Sequence, residues 1–179
     1  MSKFEIAITT LFIGFCLGQA TDFIKFRWSI NRKIKAIKSE VKDIERDFSE
    51  KFNRIIEVID TMKPNHVGIQ VPGKISNMLY QKHYVDVAPF LSRGERQAIQ
   101  LIYNHVDHFN EEVSNDGRSS FQQGKKSMFL LHNQCLFGKA SARFYLTHKG
   151  KKLFTEQDEK IIEINSQIEK LAKSSGIAS

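Results

Sequence analysis

Two short stretches carry residue types able to do chemistry. In "HVDHFNEE", His105, His108 and Glu112 follow one another at steps of three and four, which places them on one face of a helix. In "HNQC", His132 and Cys135 stand one helical turn apart. Imidazole nitrogens and a thiolate are ligands that zinc prefers, and two such helices packed antiparallel would bring His105, His108, His132 and Cys135 within reach of one tetrahedral ion. The plainer reading leaves His105 and His108 as surface residues beside an apolar stripe and Cys135 as a small hydrophobe. The spacing is unspecific, so the expectation is no metal, no other cofactor and no catalytic residue. No phosphate loop, nucleophile elbow, zinc-protease motif or kinase signature occurs in the sequence.

Any such residues would have to be positioned by helices. Of 179 residues, 41% are hydrophobic and 26% charged, which permits an ordinary core and argues against disorder. Ten glycines and three prolines leave long uninterrupted stretches, and the expected fold class is all-α. The two cysteines, Cys16 and Cys135, lie in unrelated surroundings, so no disulfide framework is expected.

The N-terminal segment "GFCLGQATDFIKFRW" changes from small and apolar to charged within fifteen residues. Ile6 to Thr21 contains no charged residue, and the nineteen residues to Ile24 make roughly 28 Å of helix, close to a hydrocarbon layer of ~30 Å. A core helix with apolar residues on every face would need protein on all sides. A cleaved signal is opposed by Glu5 beside Lys3 and by the basic residues that follow, and Phe15 spoils a lipoprotein box before Cys16. The expectation is a transmembrane anchor with interfacial flank over 1–28. Lys25, Arg27, Arg32, Lys33, Lys35 and Lys38 follow without an acid, which puts the head in the cytoplasm and the N-terminus outside, at the plasma (inner) membrane. Those cations face lipid headgroups, and nucleic acid is not needed to explain them. Gly14 and Gly18 form a G-x-x-x-G pair on which a second helix can pack.

Beyond the anchor, Ile30, Ile34, Ile37, Val41, Ile44 and Phe48 keep heptad spacing. Lys51 breaks the phase, and the pattern restarts at Phe52, Ile55, Ile59 and Met62, a stutter. This predicts a coiled-coil stalk over 29–63, self-associating through its isoleucine-rich seam, with packing on its own head as the alternative. Asp47 with Lys51 and Glu50 with Arg54 are placed for helical ion pairs.

The remainder divides into an irregular linker over 64–91 and a helical head over 92–179. Val67, Ile69 and Val71 alternate as in a short extended segment, and a modest helix is expected from Lys74 to about Val85. "SRGE" at Ser92 to Glu95 matches a capping box ahead of Ile99, Ile102, Val106, Phe109 and Val113. Met128 to Leu146 reads as the central core helix, with Gly138 and Ala142 admitting a close neighbour. A last helix is expected from near Thr155 to Gly176.

Charge is partitioned along the head. Five acids and one arginine lie between Glu95 and Asp116, whereas Gly117 to Thr155 holds eight cations and no acid. Of these, Lys125, Lys126, Lys149, Lys151 and Lys152 are the candidate interaction residues, together with Gly14 and Gly18. The functional expectation is a single-pass, oligomeric adaptor or scaffold, not an enzyme, that docks a cytosolic protein at the membrane. Two alternatives stand beside it: a regulated membrane-perturbing effector of toxin or defence type, with Gln19 and Asp22 on its spanning helix, and a metal-dependent enzyme built on the His/Cys cluster.

Overall fold

The computed structural model describes residues 2–62, 71–115, 120–152 and 158–176. These form five α-helices with no strand: α1 (Lys3–Thr61), α2 (Met78–Val87), α3 (Arg93–Ser114), α4 (Phe121–His148) and α5 (Glu159–Ser175), with one 3-10 turn at Ala88–Phe90. The all-α class expected from the sequence is what the chain adopts.

Helix α1 runs unbroken for 59 residues, roughly 88 Å. It starts at a capping box in which Ser2 Oγ accepts from the Glu5 N–H at 3.2 Å and the Glu5 carboxylate accepts from the Ser2 N–H at 2.7 Å. No Pro or Gly occurs between Asp22 and Thr61 to interrupt it. Every residue from Ser2 to Ser29 is exposed, and burial begins at Ile30.

The seam residues of α1 are buried against helices of the same chain. Ile37, Val41, Ile44, Phe48, Ile55 and Ile59 join Ile99, Ile102, Tyr103, Val106 and Phe109 of α3 and Met128, Leu131, Cys135, Ala142 and Tyr145 of α4 in one core. Within this chain the stripe expected as a stalk seam over 29–63 lies against α3 and α4, the alternative that the sequence left open. Heptad spacing describes any helix with a narrow buried stripe, so it does not choose between a partner copy and a neighbour in the chain. The ion pairs also differ in detail, with Arg46 3.0 Å from Asp43 and 3.9 Å from Glu50.

Helices α1 and α3 run parallel, since Lys38 meets Glu95 while Phe48 meets Phe109, and α4 runs antiparallel to both, since Glu45 meets Arg143 while Ser49 meets Lys139. Contact between α1 and α4 is tight at Gly138, where an added Cβ would overlap the Phe48 ring. Phe48 in turn meets Phe109 edge-on at 5.9 Å between ring centres. Gly138 thus has the role expected of it, and the glycine is what lets three helices close around one aromatic ring.

Helix α2 starts at Met78, later than the expected Lys74, for a specific reason. The Asn110 side chain takes both backbone groups of Ile75, accepting its N–H at 2.7 Å and donating to its C=O at 2.8 Å. Asn77, the cap residue, donates its amide to Asp107 at 2.9 Å. Capping is supplied instead from α1: Glu40, almost fully buried, accepts from the N–H groups of Leu79 and Tyr80 at 2.8 Å each and from the Tyr103 hydroxyl at 2.6 Å. At the far end of α2, Arg96 donates to the carbonyls of Ala88 and Leu91.

Helix α4 begins at Phe121, earlier than Met128, because Ser120 and Gln123 make a capping box of their own. Helix α5 ends at Gly176 as expected, in the left-handed region at φ +64. Val71 packs half-buried on the core; Val67, Ile69 and Thr155 lie outside the described residues.

Two substitutions test this packing by denaturant unfolding of the full chain in detergent. An exposed helical Gly→Ala change stabilises by about 1 kcal/mol, but Gly138→Ala is expected to destabilise by about 1–2 kcal/mol because Phe48 has to move. Glu40→Ala leaves one buried and two half-buried donors without their acceptor and is expected to cost about 3 kcal/mol, with hydrogen-exchange protection lost at Leu79 and Tyr80.

Candidate functional site

The residues with chemical potential are dispersed. Cys135 is fully buried in the core, and burial raises its thiol pKa. His132 is also buried, with its ring 5.0 Å from that of Phe52 and 6.5 Å from that of Phe129, and its Nδ1 3.2 Å from Asn133 Oδ1. His105 lies half-buried between α3 and α4, with Nδ1 2.9 Å from Gln134 Oε1. His108 points to solvent, 3.4 Å from Glu111. Glu112, which shares the His105 and His108 face in the sequence, accepts from Ser127. Each ring nitrogen or thiol thus has its own surroundings, and no group of three His, Cys, Asp or Glu among the described residues is arranged to hold a metal ion.

The five candidate lysines are likewise not one surface. Lys126 and Lys149 are separated by 23 residues of α4, roughly 35 Å. Lys125 lies half-buried with its ammonium 5.9 Å from the Phe121 ring centre. Lys149, Lys151 and Lys152 are exposed at the other end, where Lys149 adopts a left-handed φ of 51 and closes α4. Two further cations of the acid-free segment are taken up by α1. Arg143 donates twice to Glu45, at 2.8 and 3.1 Å, and Lys139 donates to Ser49 at 2.9 Å. The acidic counterpart of this segment is therefore partly α1, which the sequence reading placed outside the head.

What the structure does assemble is the base of the projecting half of α1. The helix contains a stretch long and apolar enough to cross a membrane, and none of that stretch is buried against the rest of the chain. Phe4, Ile6, Ile8, Leu11, Phe12, Ile13, Phe15, Leu17, Phe23 and Ile24 all point outward. Within this chain the segment is therefore not a buried core helix. Gly14 and Gly18 meet nothing within 4 Å, so their face stays open.

Where this segment enters the head, side chains of three elements converge. Phe26 of α1 meets Phe90 of the 3-10 turn with ring centres 5.8 Å apart. The Arg32 guanidinium lies over the Trp28 ring, 4.9 Å from its centre. Lys33 donates to Asp86 of α2 at 2.7 Å, and the lysine holds that carboxyl below its usual range. Trp28, Ser29, Arg32, Lys33, Ala36 and His83 line a cleft here between α1 and α2. Sequence reasoning registered Trp28 and the cations but not His83 or Phe90, whose only signal was their nearness in the chain to Pro89.

No known protein family, curated protein or solved structure matches this chain.

The buried histidines make a pH-dependent prediction. Burial lowers the pKa of His132, and of His105, below the ordinary 6.5, so both rings are neutral in the fold while the unfolded chain protonates them near that value. Their contribution is complete above about pH 6.5 and is lost as pH falls towards the folded values. Thermal unfolding of the detergent-solubilised chain is expected to show a lower Tm at about pH 5.5 than at about pH 7.5, and His132→Leu is expected to reduce the size of that drop.

Proposed function

We propose that this chain is a single-pass protein of the plasma (inner) membrane that holds a helical head at the cytoplasmic surface as an adaptor for a cytosolic protein. One observation carries the reading: a single helix is apolar and wholly exposed over its first half and forms the core of the head over its second. An apolar helix open on every side is stable in lipid and costly in water, at about 25 cal/mol per Å² of apolar surface. The basic run from Lys25 to Lys38 favours retention of the head on the cytoplasmic side.

The adaptor role draws on the stiffness of this arrangement. No turn separates anchor from core, so a partner bound to the head is held at a fixed height above the bilayer. On this reading residues 30–61 rise roughly 46 Å from the bilayer, the Lys125 and Lys126 end of α4 is outermost, and the Lys149 end is level with Lys38, roughly 21 Å beyond Ile24. A cytosolic protein meets the outer end first. Beside it, His108, Glu111, Leu130 and Gln134 line a shallow groove between α3 and α4. For self-association the open face at Gly14 and Gly18 offers a surface, whereas the isoleucine seam is covered within the chain.

Gln19 and Asp22, exposed within the apolar helix, favour the effector reading as the alternative, since polar residues on assembled spanning helices line water-filled paths. Induced expression with a membrane-potential dye separates the two: an adaptor leaves the potential unchanged, and an effector collapses it.

Membrane fractions are expected to retain the full chain through alkaline carbonate and high-salt washing, whereas release of intact protein by either wash removes the anchor. Crosslinking-based partner capture is expected to fall when Lys125 and Lys126 are neutralised together and to persist when Lys149, Lys151 and Lys152 are neutralised. Exposed lysines such as Lys126, Lys149, Lys151 and Lys152 contribute within about 0.5 kcal/mol to stability, whereas Lys125 is half-buried beside Phe121, so circular dichroism of the Lys125 variant checks that its fold is kept.

A further inference from the structure

We propose that the cleft formed by Trp28, Ser29 and Arg32 of α1 and His83 of α2 binds the phosphate headgroup of an anionic phospholipid. The inference rests on the anchor reading and specifies where the bilayer touches the head. Depth is set by the helix rise. The apolar run ends at Ile24, so Trp28 lies roughly 6 Å beyond the hydrocarbon, within a polar layer roughly 5–7 Å thick on each side. Arg32 folds back over the Trp28 ring, which brings its guanidinium to that same level.

The head is held down there as well. Phe90 touches Phe26, two residues past Ile24 and roughly 3 Å beyond the hydrocarbon edge, and Phe90 remains 41% exposed. The 3-10 turn therefore sits at interfacial depth, where aromatic rings are favoured. Cleft and turn lie on the same end of the head, and on the anchor reading both face the headgroup layer.

The chemistry of the cleft selects phosphate. Lys33 is committed to Asp86, whereas the Arg32 guanidinium makes no hydrogen bond or ion pair within the described residues. Its planar fork of N–H donors matches two phosphate oxygens, and stacking on the indole fixes the plane of that fork. His83 offers a ring nitrogen and Ser29 a hydroxyl on the cleft walls. The neighbouring cations Lys25 and Arg27 disfavour a choline ammonium and so prefer a headgroup with net negative charge.

Trp28 is the one tryptophan in the chain, and its fluorescence reports on the cleft directly. The experiment places the full chain in phosphatidylcholine nanodiscs containing a minor share of phosphatidylglycerol, with bromine on the acyl chains of one lipid at a time. Brominated phosphatidylglycerol is expected to quench Trp28 beyond its share of the lipid. Arg32→Ala is expected to weaken this preference about tenfold, and Arg32→Lys to weaken it less, because the charge stays while the fork is lost. Quenching by each lipid in proportion to its share, unchanged by either substitution, overturns the headgroup site and leaves the anchor standing. Absence of quenching by both removes the anchor and the site together. If inorganic phosphate abolishes the phosphatidylglycerol preference, the cleft is a soluble-phosphate site and the lipid assignment is overturned.

Discussion

The buried stripe of α1 is the surface on which the rest of the head is assembled. Ile37, Val41, Ile44 and Phe48 lie on one phase of the helix and Ile55 and Ile59 on the next, with Lys51 half-buried at the slip between them. A strict heptad stripe stays aligned with a partner only if both helices supercoil, whereas a stutter resets the phase and lets a straighter helix keep its apolar face on α3 and α4. Gly138 fixes the depth of the contact by admitting the Phe48 ring where any side chain would hold α4 away. Since the stripe belongs to the helix that also bears the exposed apolar segment, the orientation of the head follows from the direction of that helix.

The polar contacts follow from this placement. With α1 central, its flanks meet different elements: Glu40 reaches α2 and Tyr103, Glu45 reaches Arg143, and Lys38 reaches Glu95 at 3.1 Å. Glu40 bears most on the fold, because a buried carboxylate is tolerated only when its lone pairs are satisfied, and here two backbone amides and a phenol satisfy them. The phenol is affected in return. Burial, reinforced by Glu40, raises the Tyr103 pKa, so the hydroxyl remains a donor. Tyr80 stacks on Tyr103 at 3.8 Å between ring centres, and this holds α2 flat on the bundle beside the point where α1 emerges. The Trp28–His83 cleft exists because α2 is held there.

A consequence for function is mechanical. A head connected through a flexible linker samples many heights above a bilayer, whereas one whose core helix continues into the lipid samples few. Phe26 against Phe90 and Lys33 against Asp86 brace the junction on one side of α1. The two ends of α4 then lie roughly 35 Å apart, at different levels along α1. A charge pattern that is continuous along the sequence is thereby divided in space.

The sequence by itself determined the features that depend on neighbours along the chain. The absence of helix breakers, the capping residues at Ser92 and Glu95, the uncharged run from Ile6 to Thr21 and the left-handed stop at Gly176 act within a few residues of themselves. The start of α4 was equally local, and Ser120 with Gln123 carried the signal. Tertiary structure alone decided what covers the isoleucine stripe, because an apolar face states only that it is to be buried and not by what. It likewise decided that His105, His108, His132 and Cys135 part company: the helical phase places them relative to their own axes, but the antiparallel register of α3 and α4 sends Cys135 into the core and His108 to solvent. Glu40 was illegible for the same reason. Its three donors lie 39, 40 and 63 residues away, and only the packed bundle brings them to one carboxylate.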